Sequence, residues 1–94
     1  MKSIMQFENE CYVCHCKEPL HVHHVFEGTA NRKKSEKWGL KIYLCPKHHN
    51  MSNEGVHSNK ALELNLKRKA QMTFELLYGK ELWMKEFKRN YLDV

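Results

Sequence analysis

The chain has 94 residues, 41% of them hydrophobic, and a formal net charge of +5. At this length one apolar core is barely sufficient for folding, so a structural metal or disulfides are expected to add support. No stretch is long and apolar enough to cross a bilayer, and the first residues do not form a signal-peptide pattern, so we expect a cytoplasmic protein. The basic excess suits a polyanionic partner, although many basic proteins have none.

The four cysteines favour a metal site, because a reducing compartment disfavours disulfides. Cys11 and Cys14 form a CxxC pair, which is the spacing of a zinc knuckle whose two thiolates reach one tetrahedral ion. Cys16 follows two residues later. A strand-like exit from the knuckle is expected to carry Cys16 away from the metal, so we predict that it is not a ligand.

A first strand is predicted from Leu20 to Phe26, where histidines are interspersed with apolar residues. Neighbouring side chains of a strand point to opposite faces, so His21 and His23 share one face and His24 takes the other. The adjacent imidazoles of His23 and His24 therefore need different roles. One of them can bind a metal, while the other can face a water or a scissile phosphate.

The segment that follows this strand is predicted to be an exposed basic loop. Residues 27–31 have a loop composition, and four basic residues come after them, namely Arg32, Lys33, Lys34 and Lys37. Alternating apolar residues then predict a second strand from Trp38 to Leu44. We expect the two strands to pair as a hairpin with a long loop.

Cys45 and His48 form a second knuckle directly after the second strand. A gap of about thirty residues separates it from the CxxC pair, which is longer than in common zinc ribbons. If the hairpin folds back, all four ligands reach one ion. A closed Cys3His shell leaves no open position, so this zinc would be structural. The alternative is a set of buried or reactive thiols without metal.

Of the six histidines that remain once His48 is assigned to the zinc, four are candidates for a second site, namely His23, His24, His49 and His57. Imidazole is the commonest ligand for a divalent metal whose coordination stays partly open, and hydrolytic chemistry needs such an open position. The sequence therefore predicts a second, reactive metal site. A purely structural histidine cluster is the alternative.

One long helix is predicted from Lys60 to Tyr78, with Ser58 or Asn59 as its N-cap and Gly79 after its end. Its apolar stripe steps by four and three residues and comprises Leu62, Leu66, Ala70, Phe74 and Leu77. Lys67 and Arg68 lie off this stripe and would face water or a phosphate. A second helix, from about Lys80 to Arg89, should bury the aromatic rings of Trp83, Phe87 and Tyr91.

In combination these motifs resemble the HNH, or ββα-metal, nucleases. That family's layout is a CxxC knuckle, a strand with a histidine pair, a loop, a second strand and a second knuckle that leads into a helix. Here the parts are Cys11 to Cys14, His23 with His24, the basic segment, and the run from Cys45 to His49. Short segments such as His-His-Val-Phe and Leu-Cys-Pro-Lys-His-His are most similar to phage-encoded nucleases of the Ref type, which act with the RecA recombinase.

The resemblance implies a fold and a set of roles. The fold would be one small α+β zinc-stabilised domain over residues 1–94. Its treble-clef-like ββα-metal (His-Me finger) core would span residues 11–78, with a C-terminal helix at 80–89. His24 would be the general base that activates water, while His23 and His49 would bind the catalytic Mg²⁺, Mn²⁺ or Zn²⁺.

Two positions depart from the family pattern. The asparagine that orients the base is absent near Gly39 and Leu40, and Asn31 could replace it from the loop. The family's third histidine, or a lysine, would fall at Asn53, and His57 comes later as a ligand or a phosphate contact.

The function implied by the resemblance is metal-dependent hydrolysis of DNA with low sequence specificity. It would be linked to recombination, with a recombinase filament such as RecA as a partner. The residues expected to contact the DNA backbone are Arg32, Lys33, Lys34, Lys37, Lys67 and Arg68. One alternative is a zinc-stabilised DNA-binding module without catalysis. Another is a module that binds a host protein through an exposed patch formed by Trp83, Phe87 and Tyr91.

Overall fold

Two strands and four helices form an α+β domain in the computed structural model, which describes residues 2–50 and 55–92. In chain order they are β1 (His21–His24), α1 (Thr29–Trp38), β2 (Lys41–Leu44), α2 (Pro46–His49), α3 (Lys60–Tyr78) and α4 (Lys80–Phe87). None of the helices in these ranges has the length and apolar character needed to cross a membrane.

The two strands pair antiparallel, as predicted, although both are shorter than the sequence pattern suggested. His21 lies opposite Leu44, and His24 lies opposite Lys41. Leu40, Ile42 and Leu44 are fully buried, so this side of the sheet forms part of the core. The pairing thus places His21 and His23 opposite the buried side chains of Leu44 and Ile42.

The connection between the strands is a helix, so the prediction of a loop was wrong, although residues 27–33 are exposed as expected. No side chain caps the start of α1, and Ser35 is its one buried residue. The Ser35 hydroxyl donates to the carbonyl of Phe26 and accepts from its backbone N–H, both at 3.0 Å. Trp38 donates from Nε1 to Glu86 at 3.0 Å. Tertiary contacts of this kind stabilise a helix whose own sequence carries little amphipathic signal.

The long helix α3 has the predicted boundaries. Its N-cap is Asn59, whose side chain accepts a hydrogen bond from the backbone N–H of Leu62 at 3.1 Å. The middle of the predicted apolar stripe is buried, but Leu77 is 58% exposed. Gln71 is also buried, although the predicted apolar stripe does not include it. Hydrogen bonds make this burial possible, because its amide accepts from the N–H of Tyr91 at 2.7 Å and donates to Asn90 at 2.9 Å.

The aromatic rings of the C-terminal segment lie in the core. Trp83 is fully buried and stacks on Phe87, with 4.1 Å between ring centroids. Phe26 packs against Trp83, Phe87 and Tyr91. Trp83 is buried and Phe87 and Tyr91 are half-buried against the core, so the three rings do not form the exposed patch on which a host-protein-binding module would depend. The helix α4 ends at Phe87, two residues before the expected Arg89.

Candidate metal centres and catalytic cleft

The two predicted knuckles bring four ligand atoms together, contributed by Cys11, Cys14, Cys45 and His48, all within 4.8 Å of one another. Sγ of Cys14 and Sγ of Cys45 are 3.7 Å apart, and Nδ1 of His48 is 3.3 Å from Sγ of Cys45 and 3.8 Å from Sγ of Cys11. Tetrahedral zinc with Zn–S bonds of about 2.3 Å and Zn–N bonds of about 2.0 Å places its ligand atoms about 3.3–3.8 Å apart. The four residues therefore fit a closed zinc site.

Backbone hydrogen bonds shape the two knuckles. In the first, the N–H of His15 donates to the carbonyl of Cys11 at 2.9 Å, and His15 has a left-handed φ of 67°. The N–H of Tyr12 donates to the carbonyl of Tyr43 in β2 at 2.9 Å, which ties this knuckle to the sheet. In the second, the carbonyl of Cys45 accepts from the N–H of His48 at 3.1 Å.

The thiols of this cluster differ in their readiness to ionise. Burial opposes ionisation of Cys11, but backbone N–H groups of Cys14, Cys45 and Val13 outweigh it and lower the pKa of this thiol to about 6. Burial, together with the neighbouring sulfurs of Cys14 and Cys45, raises the pKa of Cys16 to about 12. Cys16 is not one of the four residues whose ligand atoms lie together, as predicted, but its contacts with the sulfurs of Cys14 and Cys45 show that the expectation that the chain carries it away was wrong. The turn at His15 brings it back against the cluster.

A second cluster consists of His23, His49 and His57, whose ligand nitrogens also lie within 4.8 Å of one another. Its ring centroids are 4.8 to 5.5 Å apart. His23 is 4% exposed, and burial, followed by the charges of the neighbouring histidines, lowers its pKa to about 4. Burial also lowers the pKa of His49. Imidazoles that stay neutral near pH 7 keep the lone pairs a metal requires.

The helix α2 and the turn after it assemble this cluster. His48 and His49 are adjacent, so one short helix supplies a ligand to each cluster. The N–H of Val56 donates to the carbonyl of His48 at 2.8 Å, and a Cβ added to Gly55 would lie 2.9 Å from the carbonyl oxygen of His49. Close approach at Gly55 thus brings His57 beside His49. Asn53, where the family's third histidine would fall, lies outside the described residues.

Two residues without a predicted role contact the histidine cluster. Nδ1 of His21 lies 2.9 Å from Nδ1 of His49. His21 therefore contacts one ring nitrogen of His49, and Nε2 is the other nitrogen, which could bind a metal. Oε1 of Glu27 lies 3.4 Å from Nδ1 of His57 and 3.8 Å from Nδ1 of His23. The shared face of His21 and His23 could be predicted from strand alternation, but nothing in the sequence distinguishes Glu27 from a solvated surface carboxylate.

His24 points to a different partner, as strand alternation predicted. Its Nε2 lies 2.7 Å from Oε2 of Glu36 on α1, and the other oxygen of Glu36 accepts from Nζ of Lys41 at 2.6 Å. The hydrogen bond from Lys41, and then that from His24, lowers the pKa of Glu36 to about 2. Asn31, predicted to orient His24, is exposed on α1, and the contact is made by Glu36 instead.

His24 and the histidine cluster share one cleft of about 340 Å³, which is lined by Val22, His23, His24, Glu27, Gly28, Arg32 and His49. A neighbouring groove of about 650 Å³ is also lined by His24 and Arg32, together with Lys33 and Glu36. His24 and Arg32 therefore belong to both spaces. A substrate in the groove would have access to the histidine cluster past these two side chains.

Of the six basic residues expected to contact a nucleic acid, Arg32 and Lys33 line this groove and are exposed. The other four bond within the protein. Lys34 donates to the carbonyl of Glu86, and Lys37 lies 3.7 Å from the Glu86 carboxylate. On α3, Lys67 pairs with Glu63 at 2.9 Å, and Arg68 donates to the carbonyl of Tyr91 at 3.0 Å.

The cleft therefore combines a metal-ligand set, a histidine held by a carboxylate, and cationic side chains at the entrance. These are the groups required to hold a phosphate and to remove a proton from water. No protein-family model, curated protein or solved structure matches this chain, so the functional argument depends on this arrangement of side chains.

Proposed function

We propose that the chain is a metal-dependent endonuclease of the HNH type that hydrolyses DNA phosphodiester bonds with low sequence specificity. The observation that carries the proposal is the common cleft, in which His24 and the cluster of His23 and His49 face the same space beside Arg32. Metal-assisted phosphodiester hydrolysis requires at least a general base and a set of metal ligands within one cleft.

The zinc at Cys11, Cys14, Cys45 and His48 is structural in this proposal. Four protein ligands close its shell, and its two knuckles lie at the start of β1 and the end of β2. We take the core to be treble-clef-like, of the ββα-metal type, with α1 inserted between its two strands. Such a core would place β1, β2 and α2 around the second cluster.

The protein's own part in the reaction begins at Glu36. Its pKa of about 2 keeps the carboxylate ionised near pH 7, so Oε2 of Glu36 accepts a hydrogen bond from the Nε2–H of His24. This tautomer leaves the lone pair of His24 on Nδ1, from which it can take a proton from water. The water oxygen then attacks phosphorus, and the bond to the leaving sugar oxygen breaks.

The remaining side chains hold the substrate and the cofactor. A divalent ion on His23, His49 and His57 would polarise the phosphoryl oxygen and stabilise the leaving oxygen. Arg32 and Lys33 would bind the phosphate backbone, which has the same charge in every sequence. Low specificity follows from this kind of contact. The RecA-like filament stays a prediction, since no contact within the chain bears on it.

The test is nicking of supercoiled plasmid DNA by the zinc-loaded protein with added Mg²⁺, Mn²⁺ or Zn²⁺. His24→Ala removes the general base and should slow nicking by about 10²- to 10⁴-fold. The matched control is His15→Asn, which removes an exposed imidazole that pairs with Glu10 and does not line the cleft, and asparagine tolerates the left-handed φ of 67° at this position. This control should nick at the wild-type rate.

Equal nicking by the wild-type and His24→Ala proteins would remove His24 from the mechanism. Salt-sensitive DNA binding without cleavage under any of the three ions would favour the alternative, a zinc-stabilised DNA-binding module. That alternative is supported by the lack of an asparagine among the described residues that line the two spaces around His24.

A further inference from the structure

Glu27 follows β1 and lies over the histidine cluster on its open side. Its carboxylate is 51% exposed, whereas His23 beneath it is 4% exposed. It lines the cleft together with His23 and His49, and its Oε1 approaches both His23 and His57. The same oxygen atom is therefore shared between two members of the cluster.

We propose that Glu27 supplies the fourth ligand of the ion held by His23, His49 and His57, and that this ion is a first-row transition metal. The inference rests on the proposed function in that it takes the histidine cluster to be a metal site. It goes further by naming a ligand and the class of metal.

The distances suit a shared ion better than direct hydrogen bonds. Oε1 of Glu27 is 3.4 Å from Nδ1 of His57 and 3.8 Å from Nδ1 of His23. Both exceed the range of about 2.7–3.2 Å for N–H···O hydrogen bonds. Metal–nitrogen and metal–oxygen bonds of about 2.0–2.2 Å place tetrahedral ligand atoms about 3.3–3.6 Å apart. The carboxylate thus approaches two of the three histidines at ligand-like distances, and because it lies outside the group whose ligand atoms are all within 4.8 Å of one another, its exposed side chain must move to complete the site.

The donor set determines the class of metal. Three imidazole nitrogens and one carboxylate oxygen suit Zn²⁺, Co²⁺ and similar ions, while Mg²⁺ prefers oxygen ligands in octahedral geometry. The negative charge of Glu27 also offsets part of the charge of a divalent ion. Because Glu27 is the most exposed member of the set, at 51% against 39% for His57, it is the ligand that a phosphate oxygen could replace.

The experiment measures metal binding and does not depend on cleavage. The protein is loaded with one equivalent of Zn²⁺, which fills the cysteine site, and Co²⁺ is then titrated with calorimetry and visible absorption. Glu27→Gln should weaken the second-site affinity for Co²⁺ at least about 10- to 100-fold, the loss that even an outer-sphere partner causes. Excess Mg²⁺ should not displace the Co²⁺ from the wild-type protein.

A neighbouring carboxylate provides the matched control. The charge of Glu63 acts on the pKa of His23, but the ion pair that Glu63 forms is with Lys67, at 2.9 Å. Glu63→Gln removes the same charge without removing a ligand, so the affinity should change less than about threefold, as for a screened surface charge. Glu27→Asp keeps the carboxylate on a shorter side chain and should bind Co²⁺ with an affinity between those of Glu27→Gln and the wild type.

The outcomes separate this inference from the proposed function. If the wild-type protein binds one metal ion per chain in all, the second metal site of the proposed function fails. If it binds two ions and Glu27→Gln binds the second as tightly, only the role of Glu27 is overturned. Displacement of Co²⁺ by Mg²⁺ would overturn the class of metal. Retention of one Zn²⁺ by Glu27→Gln shows that this variant is folded.

Discussion

Nε2 of His24 and Oε2 of Glu36 lie 2.7 Å apart, across the gap between β1 and α1. The second oxygen of Glu36 is bound by Lys41, the residue opposite His24 in the sheet. Lys41 is 7% exposed, so the chain from lysine to carboxylate to imidazole is anchored in the core at one end. A histidine held in this way keeps one tautomer and one orientation, which is what a general base requires.

Glu36→Ala should therefore slow plasmid nicking, but by less than His24→Ala, because the imidazole remains and only its support is lost. Glu81→Gln is a suitable control, since it removes an exposed carboxylate from the first turn of α4. The measurement is the nicking rate at saturating metal as a function of pH. If Glu36→Ala has the wild-type rate and pH profile, the contact between Glu36 and His24 does not serve catalysis.

A different position, Gly55, controls whether His57 can reach its cluster. A Cβ at Gly55 would lie 2.9 Å from the carbonyl oxygen of His49, so the turn must shift in Gly55→Ala. We expect a loss of about 1–3 kcal/mol in the free energy of unfolding, as for other overpacked sites. The second metal ion should also bind more weakly, while the zinc at the cysteines is retained.

Gly79→Ala separates these two effects. Gly79 has a φ of 95°, so alanine is strained there, but nothing lies within 4 Å of its added Cβ. This variant should lose stability and keep both metal ions, as measured by thermal unfolding and metal content. If Gly55→Ala keeps both ions as well, close packing at Gly55 is not what positions His57.

Much of the fold follows from local patterns that have one physical explanation. CxxC and CxxH spacings require a knuckle, strand alternation separates His23 from His24, and Asn59 caps α3 at the predicted position. Each of these signals depends on residues close together in sequence. The convergence of the cysteine ligands then follows from the antiparallel pairing of the two strands.

The features that could not be predicted depend on contacts between distant residues. The helix α1 is stabilised by the contacts of Ser35 with Phe26 and of Trp38 with Glu86, none of which has a sequence signature. Glu27 and Glu36 were missed for the same reason, because a carboxylate that meets an imidazole in the fold resembles any surface carboxylate in the sequence. Charge composition likewise could not show that Lys34 and Lys37 are engaged by the segment around Glu86.

Removal of zinc from the proposed cysteine site should unfold the domain. Its ligands connect the chain before β1 to the chain after β2, and metal binding of this kind is coupled to folding. Excess chelator, or Cys45→Ser, should abolish the cooperative thermal transition. Cys16→Ser is the matched control, since this thiol lies beside the cluster but is not one of its four clustered ligands. A drop in bound zinc in Cys16→Ser would instead make Cys16 a ligand.

The buried His23 gives the stability a pH dependence. Its pKa is about 4 in the folded protein and near 6.5 in the unfolded chain, because burial disfavours the imidazolium. Between these values the unfolded chain binds more protons, so stability is lost as the pH falls from about 6.5 towards 4. The slope attributable to His23 approaches about 1.4 kcal/mol per pH unit within this range.

The His23→Gln variant lacks this titrating imidazole, so its free energy of unfolding should depend less steeply on pH. The measurement is urea unfolding of both zinc-loaded proteins between pH 7 and pH 5, without a second metal ion. Any acid loss of zinc from the cysteines affects both proteins alike, so it cancels in their difference. Between pH 6.5 and pH 5.5 the wild-type protein should lose about 1 kcal/mol more than the variant. Parallel curves over this range would show that His23 takes up its proton as easily in the folded protein as in the unfolded chain.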